Sequence, residues 1–312
     1  MQVKTRQRDT KMSLFPIYAQ CHSILTWGEL MGHCVVPSAE AVLDKEVPVL
    51  DKGFIRLVDY LGGDDRVVQS ARVSYGEGTK SYREDAGLID YLLRNSHTSP
   101  FEQVVLTFHV KLPIFVARQW IRHRTARLNE ISGRYSVMKD DFYMPAPDDI
   151  ALQSTDNKQG RSAEALDPAQ AEKVRASFAA DQKAAYTAYS TLVEEGIARE
   201  LARVNLPLSL YTEWYWQIDL HNLFHFLRLR LDSHAQKEIR LYAEVLFEIT
   251  KKVAPRCCES FQRHILGGVR FSAEELAELK RRLGENSAEG NGELSGKDLT
   301  RFEEKLKSGK QL

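Results

Sequence analysis

The chain has 312 residues, 43% of them hydrophobic, which is enough for a globular core and more length than one core usually fills. Lys plus Arg number 43 and Asp plus Glu number 43, so the net charge is zero, which argues against a dedicated nucleic-acid binder with its basic excess. No apolar run approaches the ~20 residues of a membrane helix, and the basic residues Lys4, Arg6, Arg8 and Lys11 precede no secretory apolar segment.

Residues 1–50 carry little pattern and read as an N-terminal extension. Cys21-His22 and His33-Cys34 have no recognised finger spacing, Cys257 and Cys258 are adjacent, and no metal site is expected from them. Four cysteines without a disulfide framework suit a reducing cytoplasm. From Gly53 an apolar stretch runs to a Gly62-Gly63 turn and the segment Ala71–Ser74. Ala86, Ile89, Leu92 and Leu93 mark a helix over 79–95, ended by Asn95-Ser96 and Pro100. The loop His97–Glu102 follows. Val104, Leu106, Phe108, Val110 and Leu112 alternate with polar residues, so 104–112 is a half-buried strand. Pro113 ends it and opens a helix over 114–121, where Gln119 and Arg122, one turn apart, share a face.

Next comes RHRTARLNEISGRYS, Arg122 to Ser136, with Arg122, Arg124, Arg127 and Arg134 inside thirteen positions. Like charges this dense cost stability unless an anion neutralises them. Residues 151–166, rich in Ser, Gln, Asn and Gly, read as an exposed insertion. Asp167-Pro168 with Gln170 starts a long helix whose apolar face is Val174, Phe178, Ala185, Tyr189 and Leu192, interrupted at Gly196. The aromatic and β-branched run over 208–219 is a strand. A helix follows over 221–230, then the segment Asp232 to Ile239, then a helix to about Val253. Ser272 with Glu275 opens a further helix that Gly284 ends. A polar linker over 285–296 leads to Leu299, Phe302 and Leu306 at helical spacing.

Arg122-His123-Arg124, then seven residues and Ser132, continued by Gly133-Arg134-Tyr135-Ser136, resembles the signature of the flavin-dependent thymidylate synthases. A second block, Ala202 to Ala243 with LRLRLDSHAQ, resembles the same family. The resemblance covers roughly 53–264 and leaves both termini outside. Arg127 stands where members often carry a small polar residue. The resemblance implies an α+β fold with a twisted, mainly antiparallel sheet and packed helices in a domain over 51–266; residues 267–312, outside it, read as a helical tail from their own capping box and apolar spacing. It implies methylation of dUMP to dTMP with FAD, NADPH and methylenetetrahydrofolate, in a homotetramer with composite sites. Carried over by position, Gln119, Arg122, Glu130, Ser132, Gly133, Arg134, Arg203 and Arg230 bind dUMP, with Arg230 holding the uracil edge and favouring its ionised form. Ser99, Arg122, His123, Arg124, Glu130, Asp219, Leu220, His221 and His225 contact FAD, although members often have Asn or Arg at some of the last four.

The chemistry suits these residues. Making thymine from uracil needs a one-carbon unit at carbon five and a hydride at carbon six, and no side chain donates hydride. Two anionic ligands call for arginines, which grip phosphate bidentately. Two other classes compete. His221 and His225 have metal-ligand spacing, but Asn222 stands where a zinc protease needs glutamate. A basic-loop nucleic-acid module is the alternative reading of the arginines, disfavoured by the neutral charge.

Overall fold

The structure, a computed structural model, describes residues 34–73, 82–155 and 158–284 and a few positions between 296 and 303. The Cys21-His22 pair, His33, Ser74, the linker over 285–295 and Leu306 lie outside the described residues.

A short helix α1 (Pro37–Glu40) and strand β1 (Glu46–Val49) precede β2 (Gly53–Leu61). Residues 37–49, expected to belong to an extension, are built into the core: Ala39 and Val49 are buried, and Tyr60 donates to Glu40 Oε1 at 2.5 Å. Gly53 opens β2 because a Cβ there would stand 2.0 Å from Tyr242 Oη and 2.7 Å from the Lys111 carbonyl. Helix α2 (Asp64–Arg72) has no counterpart among the expected elements, since only Val67 and Val68 are buried in it. Its first residue also serves a helix far along the chain. The Asp64 carboxylate accepts the Arg256 and Cys257 N–H groups at 3.0 Å and so caps that helix.

Helix α3 (Tyr82–Arg94) buries Ile89 and Leu92 on the expected face. Strand β3 (Val105–Pro113) also behaves as its alternation demands: Leu106, Phe108, Val110 and Leu112 are fully buried. Helix α4 (Ile114–Trp120) leaves it at once, and its first free N–H groups, those of Ile114 and Phe115, donate to the carbonyls of Leu210 and Leu208. That use of their carbonyls accounts for 208–210 lying outside β7, the strand expected over 208–219. Strand β4 (Arg127–Glu130) lies inside the arginine-rich stretch, where no strand was expected; all four of its side chains are exposed.

The segment expected as an exposed insertion folds as a hairpin, β5 (Ala151–Gln153) with β6 (Arg161–Ala165). Helix α5 (Pro168–Glu194) starts as its sequence requires, with Asp167 Oδ1 accepting from the Ala169 and Gln170 N–H groups. Of its expected apolar face, Tyr189 is buried, while Phe178 is exposed. Helix α6 (Arg199–Ala202) and a 3-10 turn over Arg203–Asn205 lead to β7 (Tyr211–Asp219), followed directly by α7 (Leu220–Arg230), α8 (Lys237–Val253), α9 (Pro255–Phe261) and α10 (Ala273–Gly284). Ser272 and Glu275 form a reciprocal capping box at the start of α10.

The main sheet has the order β1-β2-β3-β7-β4, antiparallel throughout, on an α+β plan. One face carries Ile55, Leu57, Phe108, Trp214, Trp216 and Ile218 into a core completed by α4, α7 and α8. Helix α8 supplies Ile239, Tyr242, Ala243, Leu246, Ile249 and Val253, all buried at three- and four-residue spacing. Burying each such side chain stabilises by about 1.5–3 kcal/mol. The opposite face is polar: Arg56 meets His109 Nδ1 at 3.0 Å, and His109 stacks on Tyr215.

Candidate active site

The arginine-rich stretch is anchored two residues before its start. Trp120 is fully buried, with ring centroids 4.8 Å from Phe226, 5.1 Å from Trp216 and 5.7 Å from Trp214. The end of α4 is thereby fixed, and Arg122, His123 and Arg124 leave it into one wall of a cavity of about 310 Å³. The other wall comes from β7 and α7: Ile218, Asn222, His225 and Arg230.

Arg230 lies across this cavity from the last turn of α7. Its Nε donates to His123 Nε2 at 3.1 Å and its outer nitrogen to the Gln119 carbonyl at 3.2 Å. An imidazole nitrogen accepts only when unprotonated. His123 meets that need, because burial, then the Arg230 charge, then His225 push its pKa down to about 4. Burial, followed by Arg228 and His221, also lowers the His225 pKa. Two neutral rings therefore sit edge to face at 5.8 Å, His123 beside Arg230 and His225 near Arg228. Gln119 donates its amide N–H to Gln236 Oε1.

The rest of the signature is elsewhere. β4 pairs with β7 from Arg127 opposite Gln217 to Glu130 opposite Trp214, which puts about 10 Å of strand between the two halves of the motif. Glu130 accepts from the hydroxyl of buried Thr212 at 2.6 Å. Ser132 starts a tight turn: its Oγ accepts from the Arg134 N–H at 3.3 Å and its carbonyl from the Tyr135 and Ser136 N–H groups at 3.1 Å. Gly133 is buried there because a Cβ would come within 3.0 Å of Met138 Sδ and 3.1 Å of the Arg203 side chain. Arg134 pairs with Glu200 at 3.1 Å, both more than half exposed. Glu130, Ser132, Gly133, Arg134 and Arg203 are thus one cluster, and Gln119, Arg122, His123, Arg124, His225 and Arg230 another.

The remaining positions lie at the start of α7. Asp219 caps that helix, accepting from the Asn222 backbone and side-chain nitrogens at 2.9 and 2.8 Å. Leu220 is fully buried, so only its backbone can face a ligand. His221 is half-buried, one turn from His225. Ser99 is exposed in the turn that leads into Phe101, whose ring packs near Phe224 of α7 at 6.4 Å. Sequence reasoning missed Thr212, Gln236 and Asn222. Only Asn222, three residues after a helix-capping Asp, carried a readable signal. Among the described residues, no group of three or more His, Cys, Asp or Glu side chains is placed to hold a metal ion.

The family model for the thymidylate synthase complementing protein matches residues 56–256. A flavin-dependent thymidylate synthase of Treponema denticola is 69% identical over 271 residues, 86% of this chain and 100% of that protein. This chain belongs to the flavin-dependent thymidylate synthase family. The family's member from Treponema pallidum is 63% identical, covering 90% of this chain and 91% of its own. Among solved structures, the UMP/dUMP methylase PolB of Streptomyces cacaoi, bound with 5-Br dUMP, is 33% identical with a TM-score of 0.64 over 70% of this chain and 98% of that one. The tail, expected to fall outside the resemblance, matches the model of the thymidylate synthase ThyX C-terminal domain over residues 269–312. The alternative reading, a basic-loop nucleic-acid module, finds no support in these comparisons.

Proposed function

We propose that the chain methylates dUMP to dTMP, with methylenetetrahydrofolate as carbon donor, FAD as flavin and NADPH as reductant, and with no cysteine nucleophile. The observation that carries this reading is Arg230, fixed by neutral His123 at the cavity made by the arginine signature. Two of its contacts are internal, and its remaining N–H groups are free to meet a uracil carbonyl. A guanidinium there stabilises negative charge on the ring as it ionises, and so raises the nucleophilicity of carbon five. His123 stays neutral beside it and adds no second positive charge.

The donor set fits a flavin nucleotide. Arg122 and Arg124 are exposed at the cavity and suit the pyrophosphate; His123 and His225 line the same cavity, and our reading adds His221, Asp219, the Leu220 backbone and Ser99 as further flavin contacts. Once held by these residues and reduced by NADPH, FAD would supply the hydride needed at carbon six. The cysteines have no part. Burial raises the thiol pKa of Cys257 and Cys258 far above the usual range, so both stay protonated and unreactive.

A cavity of about 310 Å³ is at the lower limit for a small ligand and cannot enclose a flavin and a nucleotide together. The second cluster, with its phosphate-suited turn at Ser132–Arg134, stands apart on the same chain. It is surrounded by exposed apolar side chains: Tyr135, Val137, Leu201, Val204 and Leu208 are each at least half exposed, a pattern typical of contact surfaces. Our reading is a homotetramer in which Glu130, Ser132, Gly133, Arg134 and Arg203 complete the nucleotide site of a neighbouring copy. Among the described residues no helix is long and apolar enough to cross a membrane, and a cytoplasmic setting suits the free thiols Cys34, Cys257 and Cys258.

The test is the absorbance spectrum of the purified protein, followed by ligand titration. Oxidised flavin should be present or taken up on adding FAD, and Arg230→Ala should weaken dUMP binding at least about tenfold, the worth of one charge-assisted hydrogen bond, with FAD binding retained. A colourless protein that takes up no FAD overturns the reading.

A further inference from the structure

The hairpin β5–β6 looks dispensable by composition, yet one of its side chains reaches into the support of the nucleotide site. Arg161 on β6 donates to Glu238 Oε1 at 2.5 Å and to the Asp149 carbonyl at 2.6 Å. Glu238 is only 4% exposed, and the same oxygen accepts from Tyr143 Oη at 3.1 Å. Burial, then the Glu238 charge, raises the Tyr143 pKa, so the phenol remains a donor. The neighbouring Lys237 pairs with the Asp149 carboxylate. Lys237 and Glu238 are the first two residues of α8, so Arg161 and Asp149 clamp the start of that helix to the hairpin. The residue immediately before it is Gln236, which accepts the Gln119 amide N–H, and the Gln119 carbonyl in turn accepts from Arg230.

We infer that Arg161 is a positioning residue for dUMP binding: through Glu238 it holds Gln236 where it orients Gln119 and, through the Gln119 backbone, Arg230. A buried carboxylate is held in place by its donors, and Arg161 supplies the charged one. The planar guanidinium spans the carboxylate and the Asp149 carbonyl at once, which an ammonium does less well. Without it the Lys237–Asp149 pair and the Tyr143 bond remain, but the Glu238 carboxylate loses its charged donor, Gln236 is held less closely against Gln119, and the nucleotide loses orientation. The flavin contacts along the first turns of α7 have no part in this chain of bonds. The inference rests on the reading of Gln119 and Arg230 as dUMP ligands.

The experiment measures dUMP and FAD dissociation constants by calorimetry on the full chain, for wild type, Arg161→Met, Gln236→Leu and their double variant. Arg161→Met strands the Glu238 charge, so Arg161→Met with Glu238→Gln is made alongside it to keep a folded protein in hand. The expected result is dUMP binding weakened about fivefold by either single change, no further loss in the double variant because both act through one path, partial recovery in Arg161→Lys, and a smaller loss of FAD binding than of dUMP binding. Folded Arg161 variants that bind dUMP like wild type overturn the inference. Losses that multiply in the double variant, or that fall equally on FAD, overturn it too, since they indicate independent or general effects. A wild-type chain that binds FAD but no dUMP overturns the reading of the nucleotide site, and this inference with it.

Discussion

His123 shows how an environment selects a protonation state. In water an imidazole beside an arginine would share a net positive charge, and both would remain hydrated. Here burial and the Arg230 guanidinium disfavour the charged ring, and its pKa falls from 6.5 to about 4. The sign follows from proton counting. Between pH 6.5 and 4 the unfolded chain binds a proton at this position that the folded chain does not, so this group's contribution to stability falls as the pH is lowered through that window. The imidazole resonances of His123, followed by NMR, should stay constant from about pH 8 to about pH 5 and move with a midpoint near 4. A midpoint at the ordinary value of 6.5 would mean that the bond from Arg230 is not made.

At the scale of elements, α4 is a seven-residue helix held by one large side chain. Trp120 touches strand β7 twice and two helices, α7 and α8, through its ring contacts, so Trp120→Ala should lower stability by about 3–5 kcal/mol and reduce dUMP binding in the fraction that remains folded. Chemical denaturation with a parallel binding assay checks both, and a stability loss under about 1 kcal/mol would contradict this view of the anchor. The same scale explains what was legible in the sequence. Alternation at Leu106, Phe108, Val110 and Leu112 and helical spacing at Ile89 and Leu92 report one buried face each, and β3 and α3 stand where the pattern puts them. β4 was illegible because it is a wholly exposed edge strand, defined by hydrogen bonds to β7 and by no apolar period. The hairpin hid for the same reason: its partners Glu238 and Tyr143 lie about 75 residues ahead and about 20 behind Arg161 in sequence. The signature pointed to the candidate residues, while their division into two clusters emerged only with the register of β4 on β7.

For the whole molecule, the proposed homotetramer assigns the two clusters of one chain to different sites of the oligomer. Co-expressing Arg134→Ala with Arg230→Ala should return about a quarter of wild-type dTMP formation if partners mix at random in a closed assembly. Verified mixed oligomers that stay inactive would show that each site is built by one chain. The central claim is that this chain makes dTMP by flavin chemistry with no thiolate. It is tested most directly by measuring dTMP formed from dUMP, methylenetetrahydrofolate and NADPH by a variant with Cys21, Cys34, Cys257 and Cys258 all changed to Ala, with and without FAD. The account expects dTMP at close to the wild-type rate when flavin is present and none when it is absent; a folded, flavin-loaded variant that forms no dTMP, or dTMP formed without flavin, would contradict it.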